Sequence, residues 1–296
     1  MIQNIFREYD IRGIFGSELN ETSVKAIGFE LGKEIANRGL KKVSVGYDAR
    51  LSANSLFESF VSGLNHANLQ VFNIGLLPTP IGYFSVFTNK FDANIMITGS
   101  HNPKEYNGFK ITLGTDSFFG KDLQNLGKKV AKFIASNEKI PTNAKVENFD
   151  ILSDYLNFFE KEFANLKDFD FPFVIDCANG AAGVSVEQIC KRLNLKAKIL
   201  FSDPDGNFPN HHPDPSEEKN LADLKNEMAK NGYKICGIDE PLLIYRIAKS
   251  SKSSNKLKAA RMNWNTYRYV GLNPLAASYY MCCYTVRGLL KYRHLK

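Results

Sequence analysis

The feature that most narrows the possible folds is a sustained alternation of helix-like and strand-like segments over residues 1–238. Val24, Ile27, Leu31 and Ile35 recur at helical spacing, after Asn20 or Thr22 as an N-cap and before Gly39. Lys42 to Tyr47 alternates as a strand through Val43 and Val45. A helix through Leu56, Phe60, Val61 and Leu64 follows, then a strand from Gln70 to Ile74. Pro80 opens a helix running to Phe87. Asn94 to Thr98 reads as a buried strand and Phe109 to Thr112 as another. Leu123, Leu126, Val130 and Phe133 mark a helix that runs out into the polar stretch from Ser136 to Lys145.

Beyond that stretch the alternation resumes. An aromatic-rich helix spans Ile151 to Leu166, a strand Phe173 to Cys177, and a Gly-rich turn Asn179 to Gly183. A helix to Leu193, a strand from Ala197 to Phe201, a helix from Asn220 to Lys230 and a strand from Tyr233 to Ile238 complete it. This order predicts an α/β fold of two consecutive layered domains, over 1–140 and 148–238, with mixed, largely parallel sheets. Ligands in such folds sit at the carboxyl ends of strands. From Asp239 the alternation stops, and the remainder is expected to be an irregular basic tail.

Composition agrees with a folded body. Of 296 residues 44% are hydrophobic, enough for real cores, which excludes disordered and collagen-like classes. Five cysteines with no C-x-x-C pair exclude a disulfide scaffold and a zinc ribbon, and read as reduced thiols. Met1 to Glu8 lacks the basic and apolar regions of a secretory signal, so the expected location is cytoplasmic. The net charge of +7 is unevenly spread: residues 239–296 hold eleven Lys or Arg against Asp239 and Glu240, which leaves −2 for the first 238. The uncharged run Tyr269 to Val286 contains Asn273 and Pro274 and is a poor membrane span, so no membrane partner is expected.

The sharpest chemical feature is Thr98-Gly99-Ser100-His101-Asn102-Pro103, which ends a buried strand. A serine on such a turn presents its hydroxyl on a fixed backbone, with N–H groups near enough to meet a phosphate. On composition alone the same residues also make an ordinary turn. Tyr106-Asn107-Gly108-Phe109-Lys110 follows, read as a tight Asn-Gly turn that delivers Lys110 to the start of a strand. Phe6 to Gly13 gives a charged turn, and Gly46-Tyr47-Asp48-Ala49-Arg50 ends another strand. Nucleotide motifs are not matched: Gly180 to Gly183 lacks G-x-G-x-x-G, and Gly114 to Lys121 misses the P-loop spacing. His211, His212 and Asp214 invite a metal reading, but adjacent histidines rarely face one ion.

Taken together and in order, these stretches resemble the α-D-phosphohexomutase family in its bacterial phosphomannomutase/phosphoglucomutase branch. The resemblance rests on Tyr9-Asp10-Ile11-Arg12-Gly13, Gly46 to Arg50, the serine loop, Tyr106 to Lys110, Asp176-Cys177-Ala178-Asn179-Gly180, and Asp205 to Pro215. It covers about residues 5–238, like the family's first domain and most of its second. It implies an isomerase that shifts phosphate between the 1- and 6-hydroxyls of mannose or glucose phosphate through a phosphoserine, here Ser100. Lys110 and His101 match general acid/base and loop-orienting positions, and Tyr9 and Arg12 match substrate- or phosphate-contacting ones. Arg50 and Asn102 are expected to brace the site. Mg²⁺ is the implied cofactor, with the Ser100 phosphate oxygen as one ligand.

The resemblance stops at Ile238. The family's Asp-Gly-Asp-x-Asp-Arg metal loop should follow there, and the chain reads Asp239-Glu240-Pro241 instead. The loops expected to recognise the sugar and its phosphate are not found between Asp239 and Lys296 either. The expectation is a truncated, out-of-frame tail and a chain without mutase turnover. The alternatives are a non-catalytic remnant that still binds a sugar phosphate, or a basic tail that binds nucleic acid, the less expected of the two. The sequence sets no oligomeric state and no preference between mannose and glucose.

Overall fold

The computed structural model describes residues 2–88, 90–230, 264, 273–274, 276 and 278–281. The contacts divide the chain into Met1–Lys234 and Ile235–Lys296, and the architecture below is that of the first unit. The expected strand over 233–238, and the tail over 239–296 apart from those few positions, lie outside the described residues.

The elements in chain order are β1 (Ile11–Ile14), α1 (Glu21–Asn37), β2 (Lys42–Tyr47), α2 (Ala53–His66), β3 (Gln70–Leu76), α3 (Thr79–Phe87), β4 (Ala93–Ile97), β5 (Tyr106–Leu113), β6 (Asp116–Ser117), α4 (Gly120–Ala135), β7 (Glu147–Asn148) and α5 (Ile151–Glu162). Then come β8 (Phe173–Asp176), α6 (Gly183–Arg192), β9 (Ala197–Leu200) and α7 (Ala222–Lys230). The main sheet runs β1-β5-β4-β2-β3-β7, with β6 beside β5. Strands β4, β2, β3 and β7 are parallel to one another, while β1, β5 and β6 join antiparallel. The α/β expectation of a mixed, mostly parallel sheet holds.

Period-two alternation explains which side each strand residue faces. Val43, Val45, Ile95, Phe109 and Ile111 pack under α1, α2 and α4 with Ile27, Leu31, Phe60, Leu64, Leu126 and Val130. Phe60 and Phe109 stack at 4.6 Å near the centre, both without exposed surface. On the opposite face Ile74 and Met96 meet Ile81 of α3 and Ile151 of α5, joined by Val184 of α6. Helix α1 starts at the expected Asn20: its Oδ1 accepts from the Ser23 amide at 3.0 Å, and Ser23 Oγ accepts from the Asn20 amide at 3.0 Å. In the second layer β8 and β9 pair in parallel, with α6 as the connection.

Two expectations are corrected. Asn107-Gly108 is not a turn; both residues lie inside β5. Asn107 is fully buried and donates from Nδ2 to Ser52 Oγ at 2.8 Å, and a Cβ at Gly108 would stand 2.0 Å from the Ile11 carbonyl oxygen. The glycine is there to let β1 come close, and tertiary pairing overrides the local turn signal. The charged turn at the N-terminus likewise continues into β1, whose Ile11, Arg12, Gly13 and Ile14 pair with Phe109, Gly108, Asn107 and Tyr106.

The polar connection after α4 is fastened to the first layer. Thr142 Oγ1 accepts from Lys25 Nζ at 2.7 Å, and the Asn143 and Lys145 carbonyls accept from Asn65 Nδ2 at 2.8 and 2.9 Å. β7 then pairs with β3, and the Phe149 amide donates to the Asn73 carbonyl at 3.0 Å.

Candidate active site

The site is built where β2 and β4 end side by side. Strand β4 stops at Ile97, and Thr98 to Glu105 loops out before β5 returns. Strand β2 stops at Tyr47, which sends Asp48 and Arg50 under that loop. Arg50 is the organising side chain. It has no exposed surface, and all five of its N–H donors find acceptors. Nη1 donates to the Pro103 and Tyr106 carbonyls at 2.6 and 2.9 Å, and Nη2 to those of Ser100 and Asn102 at 3.0 and 2.7 Å. Nε donates to Asp48 Oδ2 at 3.2 Å, and that same oxygen accepts from the Gly99 amide at 3.2 Å. Burial lowers the guanidinium's proton affinity, with the Asp48 carboxylate opposing the shift.

The loop so tied presents Ser100 to solvent. Its backbone stands at φ 56°, in the left-handed region that a serine adopts only under constraint. Its amide donates to Thr98 Oγ1 at 3.0 Å, and its hydroxyl lies 3.3 Å from His101 Nδ1. Asn102 ties this loop to the N-terminal segment: its Oδ1 accepts from Arg12 Nη1 at 2.9 Å, while Arg12 Nη2 pairs with Asp10 at 2.5 Å. Arg12 Nε is buried with no protein acceptor.

Ser100, His101, Asn102, Arg12 and Arg50 therefore form one connected cluster. Lys110 and Tyr9 are not hydrogen-bonded to it. Lys110 is half-buried on β5, opposite Met96, and its side chain makes no hydrogen bond or ion pair among the described residues. Tyr9 is 75% exposed and stacks on Phe119 with centroids 6.2 Å apart.

The second layer reaches the same cluster through Asp205 to Pro215. A Cβ at Gly206 would stand 2.4 Å from the Ala49 carbonyl oxygen, so only glycine lets this loop lie against the Arg50 segment. Arg50 Cζ stands over the Phe208 ring, 5.5 Å from its centroid. Sequence reasoning included Phe208 in a motif but assigned it no contact. The Asp214 carboxyl is held below its usual range, chiefly by the Ser216 hydroxyl and amide, with the His101 and His212 charges adding to the effect. His211 faces Asp176, with Nε2 and Oδ2 3.0 Å apart, and its Nδ1 lies 3.0 Å from the His212 carbonyl.

Among the described residues no three His, Cys, Asp or Glu side chains stand close enough to hold a metal ion. Beside Ser100, the carboxylates of Asp10 and Asp48 are engaged by Arg12 and Arg50. These residues do not by themselves fit Mg²⁺, which takes several oxygen ligands in near-octahedral order. No helix among the described residues is long and apolar enough to cross a membrane.

Residues 3–138 match the family model for phosphoglucomutase/phosphomannomutase alpha/beta/alpha domain I, and residues 153–241 that for alpha/beta/alpha domain II. A phosphomannomutase/phosphoglucomutase of Pseudomonas aeruginosa is 38% identical over 221 residues, 75% of this chain and 46% of that protein. A phosphoglucomutase of Neisseria meningitidis serogroup B is 37% identical over 224 residues, 75% of this chain and 47% of that protein. A crystal structure of a phosphoglucomutase/phosphomannomutase family protein from Burkholderia thailandensis superposes with a TM-score of 0.68 at 34% identity, covering 78% of this chain and 51% of that one. The chain spans about half the length of the curated relatives it matches.

Proposed function

The chain belongs to the phosphoglucomutase/phosphomannomutase family, and we propose that Ser100 is its phosphoryl carrier, exchanging a phosphoryl group with the 1- or 6-hydroxyl of mannose or glucose phosphate. The observation that carries this is the Arg50 fork: one buried guanidinium holds four carbonyls of the loop, and Ser100 is exposed at its crest.

In the forward step the phosphoserine P–O bond to Ser100 Oγ breaks as the free sugar hydroxyl bonds to phosphorus, giving a bisphosphorylated sugar. The hydroxyl proton passes to a base, and the departing Ser100 oxygen takes up a proton. After the sugar turns over, the same events in reverse return its other phosphate to Ser100. Phosphoryl transfer proceeds through a loose transition state, so fixed geometry and facing cations carry most of the catalysis. Lys110 is the general acid/base in this scheme, and His101, 3.3 Å from Ser100 Oγ, orients the hydroxyl. Arg12, whose Nε lacks a protein acceptor, and Tyr9, on the open surface, receive the substrate's phosphate and ring. Arg50 and Asn102 brace the loop. Domain I corresponds to residues 1–140 and domain II to 148–238, and the setting is cytoplasmic carbohydrate metabolism.

The test is to incubate the full chain with glucose or mannose 1,6-bisphosphate and to locate phosphate by peptide mass spectrometry. Phosphate on Ser100, lost in Ser100→Ala, is the expected result; a chain that gains none from either sugar would falsify the carrier role. Net conversion of hexose 1-phosphate to 6-phosphate is expected to be absent, because Asp239-Glu240-Pro241 stands where the aspartate loop is expected. Turnover that disappears in Ser100→Ala would overturn that second expectation.

A further inference from the structure

The Arg50 guanidinium has its whole edge occupied, and its Cζ stands over a ring from the other α/β layer, 5.5 Å from the ring centroid. That ring, Phe208, sits at φ 51°, a backbone conformation that bulky side chains avoid. The surroundings impose it. The Phe208 amide donates to the Asp205 carbonyl at 3.0 Å, and Asp205 Oδ1 accepts from the Asn207 amide and Nδ2 at 2.8 and 3.0 Å. The Asp205 amide in turn donates to the Asn179 carbonyl at 2.8 Å.

Asn179 is the anchor. It is 6% exposed and itself left-handed at φ 54°, in the turn after β8. Its Nδ2 donates to the Asp203 carbonyl at 2.9 Å, and its Oδ1 accepts from Asn210 Nδ2 at 2.8 Å. One buried side chain thus pins both ends of the Asp203–Asn210 loop, whose middle lies on Arg50. Gly206, pressed to the Ala49 carbonyl, fixes how closely that loop approaches. A strained aromatic held this firmly with a cation over its ring is built for that contact.

We propose that Phe208 is a positioning residue for Ser100, acting through Arg50: the Asp203–Asn210 loop of the second layer holds the guanidinium in place, and so keeps the serine loop of the first layer in its reactive shape. The consequence for phosphoryl transfer rests on Ser100 being the phosphoryl carrier. The mechanical coupling does not, and the two are tested separately.

The full chain is compared with Phe208→Trp, Phe208→Leu, Phe208→Gly and Gly206→Ala. Glycine suits φ 51°, so Phe208→Gly removes the ring without stressing the backbone. Gly206→Ala keeps the ring but levers the loop away from Ala49. Three readouts are taken: the Arg50 Nε–H resonance, which feels the ring current, hydrogen exchange at the Gly99, Asn102 and Tyr106 amides, and phosphate uptake on Ser100 from a hexose 1,6-bisphosphate. In the Leu, Gly and Gly206→Ala variants the resonance should move, and exchange at the three amides should rise by about tenfold or more while β2 and β4 stay unchanged. Phe208→Trp should restore both.

Loop exchange that stays at the parent rate in Phe208→Gly overturns the proposal, as does a Leu variant that matches Trp, which would reduce the ring to apolar filling. A rise spread evenly over β2 and β4 in both Phe208→Gly and Gly206→Ala would also overturn it, by showing loss of fold. If the exchange series behaves as expected but the parent chain takes up no phosphate, the carrier role fails and the coupling stands. If the parent is phosphorylated and the exchange series is flat, the coupling alone fails.

Discussion

Replacing Arg50 by lysine keeps the charge and most of the bulk, and so isolates the fork. The guanidinium makes five hydrogen bonds, four of them to carbonyls of the serine loop. An ammonium has three donors and no planar edge, so at least two of the five bonds are lost. At about 1.5 kcal/mol per charge-assisted bond, the loss is ~3 kcal/mol. Because Arg50 ties the loop at Ser100, Asn102, Pro103 and Tyr106, most of that falls on opening the loop, and ~3 kcal/mol makes the open form about 100-fold more populated.

Lys104 lies in the tied segment and is exposed, so trypsin reports the opening by cutting after it. The expected result is a roughly 100-fold faster cut at Lys104 in Arg50→Lys. Cutting elsewhere should change far less, and amide exchange in α1 and α2 should be preserved. A Lys104 rate within about threefold of the parent would refute the claim that the guanidinium holds this loop.

Other outcomes follow from local geometry. Gly108→Ala forces a Cβ to 2.0 Å from the Ile11 carbonyl oxygen, and separating β1 from β5 should cost about 2 kcal/mol, read as a fall of several degrees in Tm. Asp150 caps α5 through the Ser153 amide and hydroxyl at 3.0 and 2.6 Å, so Asp150→Ala should cost ~1 kcal/mol in urea unfolding at neutral pH. The same Ser153 bonds hold the Asp150 carboxyl below its ordinary value. Its contribution is therefore complete above the unfolded carboxylate pKa and is lost as pH falls through the lowered folded one, so the two proteins should converge in stability in acid. Burial pushes the Cys177 thiol up to about 11, with Asp176 reinforcing the shift. Iodoacetamide at pH 8 should label Cys177 in the native chain at least ~100-fold more slowly than in urea, as read by peptide mass spectrometry.

What local pattern encodes was legible, and what distant contact decides was not. The apolar runs of β2, β3 and β4 and the Asn20 cap of α1 announce themselves, because their cause lies within a few residues. β1 does not: Ile-Arg-Gly-Ile has no strand pattern of its own, and it is extended because β5 is there to pair with it. Asn107-Gly108 carries a strong local turn signal, yet burial of the amide against Ser52 and the approach of Ile11 outweigh it. At the site, Ser100, Arg50 and Arg12 could each be picked out by motif. That one guanidinium gathers four carbonyls, and that it stands over a ring 158 positions further along, follows only once the strands are laid side by side.

The fastening of residues 142–149 to β3, Lys25 and Asn65 bears on how the first layer can be produced alone. A fragment ending near residue 140, where the polar composition invites a cut, would discard an edge strand and leave the β3 margin open for another molecule to join. Extending it through Phe149, whose ring meets Phe91 edge-on at 5.1 Å, keeps that margin sealed and should turn an aggregating product into a monodisperse one.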